Sequence, residues 1–295
     1  MLPLFDQDFL QQHQALQTAF AGLPDHEQAK LEAFQAIIQH YHTHKRRSFP
    51  WRDDISPYRV VVSEIMLQQT QTDRVLPKFN LFVEQFPDFQ ALADAPFHDV
   101  LRFWKGLGYN RRAMALQKIA QIVVADHGGM LPQEPEILET FPGIGKATAR
   151  SIAAFAFNLP TTFIETNIRT VFIYFFFKNR TDVHDKELEP LILKTVDNKS
   201  PREWYYALMD YGVMLKKTVG NVSRLSSHYT KQSKFQGSDR QIRGMILQIL
   251  LDHPGIEQTQ LIAMLDKNEQ RVSKILHDLC VEGFAHNVNG TLRLK

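Results

Sequence analysis

The sequence predicts a mainly α-helical chain, an all-α body that ends in a small module of three helices and a β hairpin. Three observations predict it. Apolar residues recur at helical spacing through most of the 295 residues. Strand-like alternation is scarce before residue 284. Near the end, Asn289-Gly290 sits between two short runs as a type I′ hairpin signal.

Taken in order, a first helix is expected from about Asp25 to His44, ending in the basic, His-rich "HYHTHKRR". His40 and His44 are four apart and share a helix face, but a metal needs a third ligand, so phosphate contact or plain solvation is the simpler expectation. "SFPWRDDISPYRV" supplies turn chemistry through Pro50 and Pro57. The stretch "VSEIMLQQTQTDRV", Val62 to Val75, follows as one amphipathic helix starting near Val60, with Glu64, Gln68 and Gln71 on one stripe. Short helices come next, punctuated by Pro87, Pro96, "GLGYN" at 106–110, "HGG" at 127–129 and Pro132. Pro142-Gly143-Ile144-Gly145 then forms a tight hairpin before a helix that begins near Lys146. Its glycines and the N–H groups of that helix suit a phosphate, although a bare tight turn looks the same in sequence.

"SRLSSHYTKQSKFQGSD", Ser223 to Asp239, lacks apolar periodicity and is expected to be an exposed connector. "DRQIRGMILQILLDH", "EQTQLIAMLD" and "EQRVSKILHDLCVEG" are three helices, and "FAHNVNGTLRLK" closes the chain as the hairpin. This is the order of a winged helix-turn-helix, whose third helix enters a DNA groove or whose surface serves protein contact. The expected organisation is therefore residues 1–44 as a helical extension, 45–222 as the main domain, 223–238 as a basic linker and 239–295 as the winged module.

Composition narrows the classes. No run of eighteen apolar residues is present and the first thirty carry Asp6, Asp25 and Glu27, so neither a membrane span nor a secretory signal is expected and a cytoplasmic location follows. The single cysteine, Cys280, cannot form an intrachain disulfide or supply the several thiolates of an iron-sulfur centre. The net charge of +2 is unevenly spread. From Tyr211 onward 12 Lys and Arg face 7 Asp and Glu, and Lys216, Lys217, Arg224, Lys231, Lys234, Arg240 and Arg243 are opposed only by Asp239. Such a cluster points to a polyanion or to a solvated basic linker.

Two acids interrupt apolar runs: Glu64, and Glu165 in "FIETNIRTV". Burying an acid is costly unless it is paired, hydrogen-bonded or protonated. The residues by themselves leave two possibilities open: a catalytic pair, or two structural acids that cap helices or pair with an arginine such as Arg169.

"FPWRDDISPYRVVVSEIMLQQTQTDRVLPKF", "LRFWKGLGYNRRAMALQKIA", "GGMLPQEPEILETFPGIGKATARSIAAFAF" and "MDYGVM" resemble, in order and spacing, the catalytic domain of MutY-type adenine DNA glycosylases, within the helix-hairpin-helix glycosylase superfamily. The resemblance covers roughly residues 45–215, and "SEIMLQQTQ" is its most specific piece. It implies a two-lobed helix-hairpin-helix fold and a base-excision enzyme, a monomer acting on double-stranded DNA with a mispair or lesion. Such an enzyme flips a nucleotide into a pocket between two helical lobes. By the same resemblance Glu64, neutral through a raised pKa, protonates the purine, and an ionised Glu165 stabilises the sugar cation. Tyr109 falls at the intercalating tyrosine. Gln69, Thr70 and Asn167 fall at contacts to the lesion pair and Arg52 at the base pocket. The hairpin chemistry at Gly143, Gly145 and Lys146, and the basic cluster at Lys216 and Lys217, are expected to meet phosphates.

The sequence departs from the family at four places. Glu165 in "ETN" replaces the usual aspartate of "DGN". Ala147 stands where lyase-competent relatives carry a lysine nucleophile. Lys216, Ser223, Ser226 and Gln232 stand approximately where relatives carry cluster-ligating cysteines, so no iron-sulfur cofactor is expected. The winged module stands in place of the domain that recognises 8-oxoguanine. These departures keep two other functions open, excision of a different damaged or mismatched base and non-catalytic DNA binding.

Overall fold

A computed structural model describes residues 4–24, 28–178, 180–231, 233–288 and 290–295. In chain order its helices are α1 (Leu4–Ala21), α2 (Gln28–Lys45), α3 (Pro50–Asp53), α4 (Pro57–Leu67), α5 (Thr72–Gln85), α6 (Phe89–Asp94), α7 (Phe97–Trp104) and α8 (Arg111–His127). There follow α9 (Pro135–Leu138), α10 (Lys146–Phe157), α11 (Thr166–Phe176), α12 (Asp185–Thr195), α13 (Pro201–Thr218), α14 (Asp239–Asp252), α15 (Gln258–Leu265) and α16 (Glu269–Val281). The strands β1 (Ile256–Glu257), β2 (Ala285–Val288) and β3 (Thr291–Leu294) are all in the last fifth of the chain. No helix among the described residues is long and apolar enough to cross a membrane.

The chain divides into two units. Unit 1 holds residues 1–57, 133–139 and 144–231; unit 2 holds 58–132, 140–143 and 232–295. The expected boundaries shift accordingly. The N-terminal segment is no extension, because α2 packs on α1, α12 and α13 within unit 1. Phe34 of α2 is fully buried and its ring meets those of Phe172, Phe175, Phe176 and Trp204. Helix α1, absent from the sequence expectation, docks the same way, with His13 Nε2 3.0 Å from the Tyr211 hydroxyl. Asp25, the expected helix start, lies outside the described residues. His44 Nδ1 is 2.8 Å from the His40 carbonyl, and no group of three or more potential metal ligands occurs among the described residues.

Unit 2 begins with α4 to α8, where α6 and α7 lie on α8 around the buried Trp104, Leu116 and Ile119. Residues 232–295 are clustered with these helices. The sheet order is β1-β3-β2, all antiparallel, with Val288 opposite Thr291. That register leaves a two-residue connection, the length the Asn289-Gly290 signal implies. Asn289 itself is outside the described residues, and Gly290 has φ +84°. Ser238 and Asn268 cap α14 and α16 by accepting hydrogen bonds from the N–H groups of Gln241 and Arg271.

The connector expected from Ser223 is only partly exposed. Residues Val222–Leu225 form a 3₁₀ turn, and a parallel bridge joins Val183 to Ser226.

Candidate active site

In unit 2 the polar stripe predicted for a single helix is broken. Helix α4 ends at Leu67, Gln69 takes φ +54°, and Gln71 is the extended residue that precedes α5, with no side-chain cap hydrogen bond. Gln68 and Gln71 therefore do not continue the face of Glu64. The cause is a side chain from further along the chain. The Arg112 guanidinium reaches the end of α4 and donates to the carbonyls of Ile65, Met66 and Gln68 at 3.0, 2.9 and 2.5 Å and to Thr70 Oγ1 at 3.0 Å. These oxygens are turned toward Arg112 at the helix end, where the last carbonyls lack intrahelical partners.

The same guanidinium donates to the carbonyls of Leu107 and Gly108 at 3.3 and 3.2 Å. It thus ties the loop after α4 to the "GLGYN" loop, where Gly106, Gly108 and Tyr109 have φ of +96°, +73° and +48°. Arg74 also donates to the Gly106 carbonyl. Burial lowers the Arg112 pKa to about 10. It is a buried cation held by carbonyl dipoles, with no carboxylate among its hydrogen-bond partners.

Two exposed, non-glycine residues, Gln69 and Tyr109, are thereby fixed in left-handed backbone. Strain of that kind persists only where the surroundings impose it, and it concentrates at functional sites. Glu64 is half-buried on α4, one turn before the loop. Gln68 donates to the Gly143 carbonyl at 3.2 Å. Gly143 itself has φ +77°, and an added Cβ would lie 3.0 Å from that of Ala115, so the hairpin glycine serves a tight turn as well as any ligand.

In unit 1 Glu165 is the N-cap of α11. Its Oε1 accepts from the N–H groups of Asn167 and Ile168 at 2.8 and 3.0 Å, and Oε2 from Asn167 Nδ2 at 3.3 Å. Burial raises its pKa, and these three hydrogen bonds oppose the shift without cancelling it. The capping alternative is therefore present in the structure. It does not compete with a charge-stabilising role, since a cap holds the carboxylate in one orientation. Arg169, the other structural candidate, is instead paired with Asp185 at 2.7 Å. Glu64 and Glu165 thus belong to different units.

Arg52, expected at the base pocket, is a buried residue of unit 1 whose Nη1 lies 3.0 Å from both oxygens of Asp210, with the guanidinium 4.2 Å from the centre of the Tyr206 ring. Asp210 also accepts from Arg47 Nε at 2.7 Å. The Arg52 side chain is 3% exposed, so it braces α3 against α13.

Gly145 is the N-cap of α10 with no side-chain cap on the helix, and both it and Lys146 are exposed. An added Cβ at Gly145 would meet nothing within 4 Å at an ordinary backbone angle, so neither space nor backbone strain in the protein demands a glycine there. Ala147 is exposed in the first turn of α10, and Lys216 and Lys217 are exposed in the last turn of α13.

At the positions aligned with cluster ligands, Ser223 and Ser226 are buried. Ser223 Oγ donates to Asn221 Oδ1 at 2.5 Å and Ser226 Oγ accepts the His228 N–H at 3.1 Å. Gln232 lies outside the described residues. These are hydroxyl donors already engaged in the loop, and they do not fit an iron-sulfur cluster, which requires thiolates.

The sequence pattern missed Arg112. The available signal was its place at the head of the apolar series Arg112, Leu116, Ile119, where a charge falls on a buried face.

The family model described as "HhH-GPD superfamily base excision DNA repair protein" matches residues 62–197. The chain is 36% identical over 186 residues to an adenine DNA glycosylase of Buchnera aphidicola subsp. Baizongia pistaciae, covering 62% of this chain but 52% of that protein, about half its length. It is 29% identical over 269 residues to an adenine DNA glycosylase of Mycolicibacterium smegmatis, covering 82% of this chain and 89% of that one. Among solved structures, a thermostable thymine-DNA glycosylase superposes with TM-score 0.57 at 24% identity, covering 68% of this chain and 97% of its own, a likeness of fold.

Proposed function

Because the chain belongs, through residues 62–197, to the HhH-GPD superfamily of base excision DNA repair proteins, we propose that it is a monofunctional DNA glycosylase that removes adenine from a mispair. The observation that carries this reading is the unit 2 cluster. A half-buried acid, Glu64, precedes a loop in which exposed Gln69, with exposed Tyr109 beside it, is fixed in left-handed backbone by Arg112. A protein that only binds DNA has no need of an acid placed there.

In the proposed reaction Tyr109 enters the stack and the adenine leaves it. Glu64 donates its proton toward N7, so the base departs neutral rather than as a poor anionic leaving group. The N-glycosidic electron pair goes to the base, and the sugar becomes an oxocarbenium ion facing the ionised Glu165 carboxylate, the split of roles two acids reach in different surroundings. Water adds to the cation and loses a proton. Arg52 takes no part in this scheme; it supports α13, while Asn167 orients Glu165. The Gly145 and Lys146 end of α10 and the Lys216-Lys217 pair bind phosphates. With Ala147 at the lyase position no Schiff base forms. The protein works without an iron-sulfur cluster, Ser223 and Ser226 closing that loop by hydrogen bonds.

The test is base release from a panel of mismatch and lesion duplexes, with and without alkali, and with borohydride trapping. Adenine release, strand cleavage only after alkali and no trapped complex are expected; Glu64→Gln should bind the duplex but release nothing. Release of a different base reassigns the substrate. No release from any duplex leaves a DNA-binding protein.

A further inference from the structure

Within unit 2 the C-terminal module is fastened to the earlier helices around the loop that carries Tyr109. Glu282, just after α16, accepts a two-pronged contact from Arg111 at the start of α8, Nη2 to Oε1 at 2.6 Å and Nε to Oε2 at 2.8 Å. Arg243 of α14 makes a second, at 3.0 and 2.6 Å. Paired carboxylate–guanidinium forks of this kind fix orientation as well as add energy. Phe284 is fully buried and its ring centre lies 5.8 Å from that of Phe97.

This docking places the start of α14 beside Tyr109. Arg240 Nη1 donates to the Tyr109 hydroxyl at 2.8 Å, while Nη2 is held by the Ser233 carbonyl and hydroxyl at 2.7 and 3.1 Å. The guanidinium carbons of Arg112 and Arg240 lie 5.4 and 5.7 Å from the centre of the tyrosine ring. Backbone strain already aims the residue; the two arginines fix its side-chain rotamer. The ring is flanked but not covered, since Tyr109 keeps 36% exposure. A latch that withheld the ring from a ligand would bury it.

We infer that the C-terminal module is part of the duplex-contacting surface, with Arg240 as the positioning residue for Tyr109. Arg240 orders an exposed aromatic side chain before the duplex arrives, and it sets a cation where phosphates must pass. Ordering a group in advance removes its entropy cost from the binding step. The inference rests on the reading of Tyr109 as the residue that enters the base stack.

Wild type, Arg240→Ala and Arg240→Lys are compared by thermal melting, single-turnover base release, salt dependence of duplex binding and fluorescence of a 2-aminopurine beside the target base. Arg240→Ala should melt like wild type, lose about tenfold in release rate, the low end of the worth of one hydrogen bond to a charged group, as suits an exposed site, and show a weaker fluorescence rise. Its salt slope should fall by about one. Arg240→Lys should restore the slope and not the rate, because an ammonium lacks the planar fork that braces Tyr109 and Ser233 together. Equal release and fluorescence in Arg240→Ala and wild type would overturn the inference, and so would faster release in Arg240→Ala, which would make the contact a latch. If wild type releases no base, the proposed function fails instead; fluorescence and salt slope, which need no chemistry, then decide the inference alone.

Discussion

Gly212 of α13 lies so close to Asn167 of α11 that a Cβ added to it would sit 2.6 Å from the Asn167 Cβ and 2.7 Å from its carbonyl oxygen. No side chain fits there without separating the two helices. Because Asn167 orients Glu165, the contact links a packing requirement to the carboxylate. Gly212→Ala should destabilise the protein by about 1–3 kcal/mol, the range for overpacking, and should lower base release more than duplex binding. Denaturant unfolding and single-turnover kinetics measure the two effects; a variant with unchanged kinetics would separate helix packing from Glu165.

Arg112 makes the opposite case, a polar group on which two loops depend. Its removal takes the guanidinium donor from the buried carbonyls of Ile65, Met66 and Leu107, while those of Gln68 and Gly108 keep the Thr70 hydroxyl and the Trp104 indole N–H. Arg112→Ala should cost about 3 kcal/mol or more, at roughly 1–3 kcal/mol per unsatisfied buried group. Arg112→Lys should recover little of it, because one ammonium cannot span both loops. Urea denaturation decides this, and a Lys variant of native stability would show that charge alone suffices.

Glu165 gives a pH dependence. Burial raises its pKa, so the carboxylate takes up a proton at a pH where an ordinary glutamate is still ionised. A reaction that needs the ionised form should lose rate as pH falls through that raised value, with an acid limb higher than a solvated carboxylate gives. Glu165→Gln should lose base release at every pH. It should keep or gain melting temperature at neutral pH, since the amide oxygen still caps α11 and the buried charge is gone. A steep loss of stability would mean that the charge on the cap outweighs its desolvation.

Glu282 behaves in the reverse sense. The hydrogen bonds from Arg111 lower its pKa most, those from Arg243 add to this, and it is brought to about 2. A depressed carboxylate contributes stability that is complete above its unfolded pKa and is lost as pH falls through the folded one. Docking of the C-terminal module should therefore weaken between about pH 4, the unfolded glutamate range, and about 2. Limited proteolysis in the 223–238 segment across this window should follow it. In Glu282→Gln the same cleavage should be present at neutral pH and vary little over the window.

The features legible in sequence were those written in local chemistry. Gly143 and Gly145 marked a hairpin, and the last twelve residues read directly as two strands. What was hidden depended on distant partners. The apolar series through Ile65, Met66 and Leu67 offers no reason to stop the helix; the stop is imposed by Arg112, whose acceptor at Gln68 lies 44 residues earlier in the chain. Arg52 looked available because its partner, Asp210, is 158 residues away. The acids Glu64 and Glu165 were conspicuous because a charge within an apolar run needs explaining wherever it occurs. Their roles came from a family resemblance, since no pattern in the sequence says whether a half-buried glutamate caps, pairs or reacts.

The loop closed by the Val183–Ser226 bridge has a consequence for how the protein is made. Serine hydroxyls and backbone amides are present from the moment of synthesis, so this closure forms as the chain folds. On the proposed cluster-free reading it draws on no iron, no sulfide and no carrier protein, and it offers no metal–thiolate bond to oxidants that dismantle them.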